Sequence, residues 1–259
     1  MTFYFSEINM KSIPKKKIIE ALKDQQSIFG DYLFEEKLPK PKTRYDEIPE
    51  VIEVVREPAD ETENLFELSE DWQNAKSLDE LNLLIKDCTK CVLHKNRNNF
   101  VFGSGNPNAE VMVIGEGPGA EEDKQGLPFV GRAGQLLTDI LKAIKFERDE
   151  VYIANIVKCR PPENRTPLPE EMETCIPYLK KQISLIQPKM ILCLGLTAAK
   201  GLLRKKESLT ALRGKFFDYE GIKVMVTFHP AALLRNPNWK KDCWEDVKKF
   251  RKMYDEIIK

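Results

Sequence analysis

Beyond residue 110 the chain alternates short, continuous apolar runs with longer segments of helical period, and this alternation limits the accessible folds more than any other feature of the sequence. The apolar runs fall at residues 111–115, 151–155, 190–195 and 223–228. Each is too short for a helix and rich in aliphatic or β-branched side chains, as central strands covered on both faces are. Helical patterns lie between and after them, at residues 134–144, 169–186, 197–203 and 239–258. A further short helix is expected from Ser77 to about Asp87, opened by a Ser77/Glu80 capping box and presenting Leu78, Leu81, Leu84 and Ile85 on one face. The βαβαβαβ order predicts an α/β fold: a three-layer α/β/α sandwich around a central four-stranded parallel sheet. Folds of this kind bind ligands beyond the carboxyl ends of their strands, so the residues following those ends carry the functional information.

The first 76 residues read differently. Pro39, Pro41, Pro49 and Pro58 are scattered among Lys, Glu and Asp with no helical or alternating period. A short helix is expected only at residues 15–22, followed by the apolar-aromatic group Ile28, Phe29, Tyr32, Leu33 and Phe34. The expected organisation is therefore an acidic, partly disordered extension (1–76) and one folded domain (77–259). Charge divides in the same place. The 259 residues balance at zero, but residues 1–76 hold 11 basic and 17 acidic side chains and the remainder 30 and 24, so the domain is basic, as nucleic-acid-binding domains are. No run approaches the roughly 18 to 20 apolar residues of a membrane span, and the first residues lack the basic-then-apolar order of a secretion signal. A cytoplasmic, non-membrane protein is expected.

The first strand runs into Gly115-Glu116-Gly117-Pro118-Gly119, then Glu122 and the segment Gly126 to Gly134 that holds Phe129 and Arg132. The glycines permit close backbone approach to a ligand, but no Gly-Lys-Ser/Thr follows and the spacing is not that of a dinucleotide fingerprint. The second strand ends in Asn155, whose planar amide carries both donors and an acceptor and can read the edge of a base. Lys158, Cys159, Arg160 and Arg165 follow it. The fourth ends at His229, with Leu233, Leu234 and Arg235 close behind. His94 and His229 are the only histidines, which excludes any mechanism needing several. Cys88 and Cys91 form one C-x-x-C, and fifteen residues separate Cys159 from Cys175. Without a second C-x-x-C the spacing leans toward a cluster over structural zinc and does not decide between them. Cys193 and Cys243 read as packing residues.

The segments GEGPGAEED, GLPFVGRAG, NIVKCRPPENRTP and HPAALLRNP, with these cysteines, resemble the family-four uracil-DNA glycosylases, the iron–sulfur type, over about residues 77–259. The resemblance implies a monomeric repair enzyme that flips uracil out of single- or double-stranded DNA and hydrolyses its glycosidic bond. It implies a structural [4Fe-4S] cluster on Cys88, Cys91, Cys159 and Cys175. It also implies a uracil pocket formed by Gly115, Glu116, Gly117, Phe129, Asn155 and His229, with Asn155 reading the base edge and His229 stabilising charge at O2. The best-known uracil glycosylases place an Asp where this chain has Gly117, which leaves Glu116, then Glu122, as candidates for handling the water. DNA contacts are expected from Arg132, Lys158, Arg160, Arg165 and Arg235, with Leu233 and Leu234 as wedges. The alternatives are a DNA-binding or scaffold relative without activity, or a relative trapped covalently on DNA. Gln25-Gln26-Ser27-Ile28-Phe29 is similar to peptides that dock repair proteins on the sliding clamp.

Overall fold

The computed structural model describes residues 71–259. The helix expected at residues 15–22 and the Gln25 to Phe29 peptide lie outside the described residues. Packing into the domain begins before Ser77. Ala75 is buried, and Trp72, in the 3-10 turn Asp71–Asn74, meets the Tyr178 ring edge-on at 4.9 Å.

Six strands form one sheet: β1 (Ser104–Gly105), β2 (Val111–Gly115), β3 (Tyr152–Asn155), β4 (Met190–Leu194), β5 (Phe216–Tyr219) and β6 (Ile222–Thr227), in the order β1-β3-β2-β4-β6-β5. The four expected strands are its parallel centre, β3-β2-β4-β6. The two additional strands are antiparallel edges. Strand β1 has two residues and no apolar pattern, and β5 is only partly buried, so neither carries the continuous apolar signal of a central strand. The β5–β6 hairpin closes through Glu220 and Gly221, both left-handed (φ 52° and 85°), as a two-residue hairpin turn requires.

The helices are α1 (Leu78–Ile85), α2 (Ala120–Gln125), α3 (Arg132–Ala143), α4 (Pro169–Ile186), α5 (Leu196–Leu203), the single turn α6 (Leu209–Leu212), α7 (Pro230–Arg235) and α8 (Lys240–Ile257). Alternate strand residues divide the core into two layers. Met112, Ile114, Ile191, Cys193, Val224 and Val226 pack with Leu81, Ile85, Leu179 and Leu202 from α1, α4 and α5. Val111, Val113, Ile153, Leu192 and Met225 pack with Leu137, Leu233, Val247 and Phe250 from α3, α7 and α8. In α1, Ser77 Oγ accepts from the Glu80 N–H (3.2 Å), while the Glu80 carboxylate accepts from Lys76 N–H (2.7 Å), one residue before the reciprocal partner of a full capping box. Leu81 and Ile85 form the buried face; Leu84, expected beside them, is 47% exposed. Among the described residues, no helix is long and apolar enough to cross a membrane.

The parallel order places the ends of β2, β3, β4 and β6 on one rim. One buried contact anchors its β6 side. The Arg213 guanidinium donates to both oxygens of buried Asp246 (3.0 and 2.9 Å), and the Thr227 hydroxyl at the end of β6 donates to the same carboxylate (2.8 Å). Removing the carboxylate strands Arg213 and detaches α8 from the strand end that leads to His229. Asp246→Ala is expected to lower unfolding free energy by about 3 kcal/mol in urea denaturation.

Candidate active site

A cavity of about 400 Å³ opens on this rim, and Glu116, Gly117, Glu122, Phe129, Asn155 and His229 all line it. At the last β2–β3 rung Gly115 pairs with Asn155. A Cβ on Gly115 would lie 2.4 Å from Asn155 Oδ1 and 2.6 Å from the Phe129 ring, so the missing side chain leaves the space in which amide and aromatic meet. Asn155 is 1% exposed and its Oδ1 accepts no hydrogen bond. A buried acceptor without a donor costs about 1–3 kcal/mol, which a bound N–H would recover.

Phe129 has a left-handed backbone (φ 53°), a strained state for an aromatic residue. Three contacts hold it. Its carbonyl would lie 1.9 Å from a Cβ on Gly134, so only glycine fits in that turn of α3. Glu122 Oε1 accepts from the N–H groups of Val130 and Gly131 (both 3.0 Å), while its Oε2 accepts from Gly119 N–H (3.1 Å). Arg148 donates to the Pro128 carbonyl at 2.7 Å. The Glu122 carboxylate is thus occupied by backbone donors and ties the start of α2 to the Phe129 loop.

His229 packs against Phe129, ring centroids 5.5 Å apart. It caps α7: Ala231 N–H donates to Nδ1 (3.2 Å), which leaves the ring proton on Nε2. Burial, reinforced by nearby Arg235 and opposed by Glu122, pulls the imidazole down to about 4. It stands in the site as a neutral N–H donor. Gly195, left-handed at φ 89°, lets the end of β4 approach; a Cβ there would lie 3.1 Å from that of His229. Burial pushes the Glu116 carboxyl above its ordinary range, while a hydrogen bond with Thr197 and the charge of Arg235 pull it back. A side chain at Gly117 would need Val157 to move, since a Cβ would lie 2.7 Å from Val157 Cγ2.

Around the mouth, Arg165 and Arg235 line the cavity, and Arg132 is exposed at the first turn of α3. Arg165 is braced by a two-pronged ion pair with Glu171 (2.8 and 2.6 Å), and Arg160 donates to Asn164 (2.8 Å). Two expected DNA contacts are corrected. Lys158 is fully buried; its ammonium donates to the Asn155 carbonyl (3.0 Å) and to Gln182 Oε1 (2.6 Å), and burial draws it down to about 8. Leu233 is 1% exposed and belongs to the core, whereas Leu234 is 37% exposed. A helix sends neighbouring residues to different faces, and the sequence did not reveal which of the pair turns outward. Thr197 and Arg148 were not anticipated. Thr197 follows the end of β4, the strand end without a polar or glycine-rich motif, and its place at the start of α5 was the available signal.

The six cysteines are free thiols, and four of them face one region. Cys91 is electrostatically coupled to Cys88, Cys159 to both of these, and Cys175 to Cys91 and Cys159. Burial raises Cys91 and Cys159 and pushes Cys175 up to about 12. Three sulfurs receive hydrogen bonds: Cys159 from Arg97 (3.1 Å), Cys88 from the Tyr178 hydroxyl (3.3 Å) and Cys175 from Lys158 N–H (3.3 Å). Among the described residues, no group of three or more Cys, His, Asp or Glu is placed to hold a single metal ion. Cys193 and Cys243 are buried in the two core layers. His94 binds the Cys91 carbonyl through Nδ1 (2.7 Å).

The neutral His229 yields a measurable expectation. Its folded value of about 4 lies below the ordinary 6.5, so the unfolded chain takes up a proton first as pH falls. The contribution is complete above about pH 6.5 and is lost toward about pH 4. Nitrogen-detected NMR should show one non-titrating Nε2–H tautomer from about pH 5 to 8; an imidazole titrating near 6.5 would contradict the assignment.

Comparison with known proteins agrees with this geometry. The family model for the uracil DNA glycosylase superfamily matches residues 102–248. The type-4 uracil-DNA glycosylase of Thermotoga maritima is 50% identical over 171 residues, covering 64% of this chain and 89% of that protein. Those of Pyrobaculum aerophilum and Archaeoglobus fulgidus are 46% and 43% identical over 183 residues each, covering 67% and 68% of this chain and 92% of each relative. The chain belongs to the uracil-DNA glycosylase superfamily, within its type-4 family.

Proposed function

We propose that this chain is a uracil-DNA glycosylase: it hydrolyses the bond between uracil and deoxyribose in DNA and leaves an abasic site for repair. The observation that carries this reading is the unpartnered Asn155 Oδ1, buried beside the Phe129 ring in a cavity that also presents a neutral imidazole.

A base in duplex DNA is out of reach, so the nucleotide is rotated into the cavity. Phe129 supplies a stacking surface. Asn155 Oδ1 accepts from uracil N3–H, and its amide donates to O4; cytosine reverses both groups and leaves buried partners unpaired. As the glycosidic bond breaks, negative charge grows on uracil O2, and His229 Nε2–H donates to it without releasing its proton. Glu116, raised by burial and held by Thr197, accepts a proton from the water that adds to the sugar carbon. Glu122 acts by positioning, since both its oxygens are engaged by backbone N–H groups. Arg132, Arg160, Arg165 and Arg235 meet phosphates, and Leu234 fills the vacated stack.

The four coupled cysteines fit a [4Fe-4S] centre. Their donor set is all sulfur, the neighbouring thiols act on one another electrostatically, and N–H or O–H donors reach three of the four. Cys88, Cys91, Cys159 and Cys175 would hold it as a structural clasp between the segment after α1, the end of β3 and α4. We further propose that residues 77–259 form the catalytic domain, that the enzyme is monomeric and cytoplasmic, and that Gln25 to Phe29 in the acidic extension 1–76 docks on the sliding clamp. Sequence pattern alone supports the last point, and clamp retention unchanged by Ile28→Ala and Phe29→Ala would remove it.

Asn155→Ala and His229→Ala should each slow uracil release by about 10²- to 10³-fold with the circular dichroism spectrum unchanged. Full activity in both would overturn the assignment. Anaerobically purified protein should be brown with absorbance near ~400 nm, and Cys175→Ala should abolish that band; bound zinc would refute the cluster.

A further inference from the structure

Helix α8 starts at the catalytic rim, directly after the turn Pro237–Trp239 that follows α7, and leads away from it. Its inner face is accounted for: Cys243, Asp246, Val247 and Phe250 are buried. Its outer face combines two features. Trp239 and Trp244 are each 41% exposed, although tryptophan is among the most buried residue types on average. Around them, Lys240, Lys241, Lys248, Lys249 and Lys252 are exposed, against only Asp242 and Glu245 between residues 239 and 252.

The spacing makes this a stripe. Lys240, Trp244, Lys248 and Lys252 follow one another at four-residue intervals, which places them along one side of a helix. Lys248 Nζ lies 5.7 Å from the Trp244 ring centroid, and its ion pair with Glu245 (2.7 Å) is solvent-exposed. At the rim Trp239 stacks on Phe228 (5.1 Å, 16° between planes), the residue before His229. The stripe is therefore continuous in sequence and packing with the catalytic loop.

We infer that the outer face of α8 is a second DNA-binding surface, which takes the single-stranded arm that leaves the pocket. This inference rests on the glycosylase reading above. Lysines at helical intervals match a row of phosphates, and interleaved tryptophans offer surfaces on which unpaired bases stack; a duplex hides those base faces and uses only the lysines. From Trp239 to Lys252 the rise is about 20 Å, enough for several nucleotides of a single strand. The surface favours strands in which bases beside the uracil are unpaired.

The test is equilibrium binding by fluorescence anisotropy, with uracil-free DNA of about 20 nucleotides, so the result does not depend on excision. The double variant Trp244→Ala/Lys248→Ala should bind single strands about fivefold more weakly, with a salt slope shallower by about 1, and lose less than about twofold on duplex. Trp244→Phe alone should retain wild-type affinity. Uracil release from a substrate of about seven nucleotides, at saturating enzyme, should be unchanged in the double variant and shows that the pocket is intact. An unchanged single-strand affinity, or equal losses on single strand and duplex, overturns the proposal. Absence of uracil release by the wild type overturns the glycosylase reading instead, and the two failures are read in separate experiments.

Discussion

The pocket depends on the last rung between β2 and β3, where Gly115 pairs with Asn155 and contributes no side chain. Asn155 Oδ1 and the Phe129 ring share the space that a methyl group there would fill. Any other residue at 115 would displace the Asn155 amide or the Phe129 ring. The rest of the site maintains that meeting point. Lys158 holds the Asn155 carbonyl from below, Glu122 and Arg148 hold the Phe129 loop from the side, and His229 closes the far wall from the end of β6. Most of these contacts involve backbone atoms, so they position the chain itself and through it the side chains.

Much of this was legible in the sequence, for an identifiable reason. The central strands are buried on both faces, β6 over its last four residues, and are therefore largely apolar, so the runs at 111–115, 151–155, 190–195 and 223–228 announced them. The edge strands β1 and β5 have no such obligation and left no signal. Glu116, Asn155 and His229 were legible because a parallel sheet gathers its strand ends on one rim. What could not be read was direction. Lys158 and Arg160 stand two residues apart in one basic segment, yet the first is wholly buried and the second is partly exposed. Nor does the sequence show that both oxygens of Glu122, the second candidate for handling the water, accept from backbone N–H groups.

Lys158 also links two parts of the molecule that sequence treats separately. Its backbone N–H donates to Cys175 and its ammonium to the Asn155 carbonyl, so a single residue spans the distance from the cysteine group to Asn155. Gln182, from the same helix as Cys175, accepts from that ammonium and donates to the Phe102 carbonyl. The cysteine region and the cavity on the rim are therefore joined by a short covalent and hydrogen-bonded route.

The Val157 methyl group facing Gly117 bears on how such enzymes can be re-engineered or can diverge. Introducing an aspartate at 117, to imitate glycosylases that carry their acidic group there, collides with Val157 before the new carboxylate reaches any water. The two positions are therefore coupled through packing, and a smaller residue at 157 makes room for a side chain at 117. A proton acceptor drawn from elsewhere on the rim leaves that packing undisturbed.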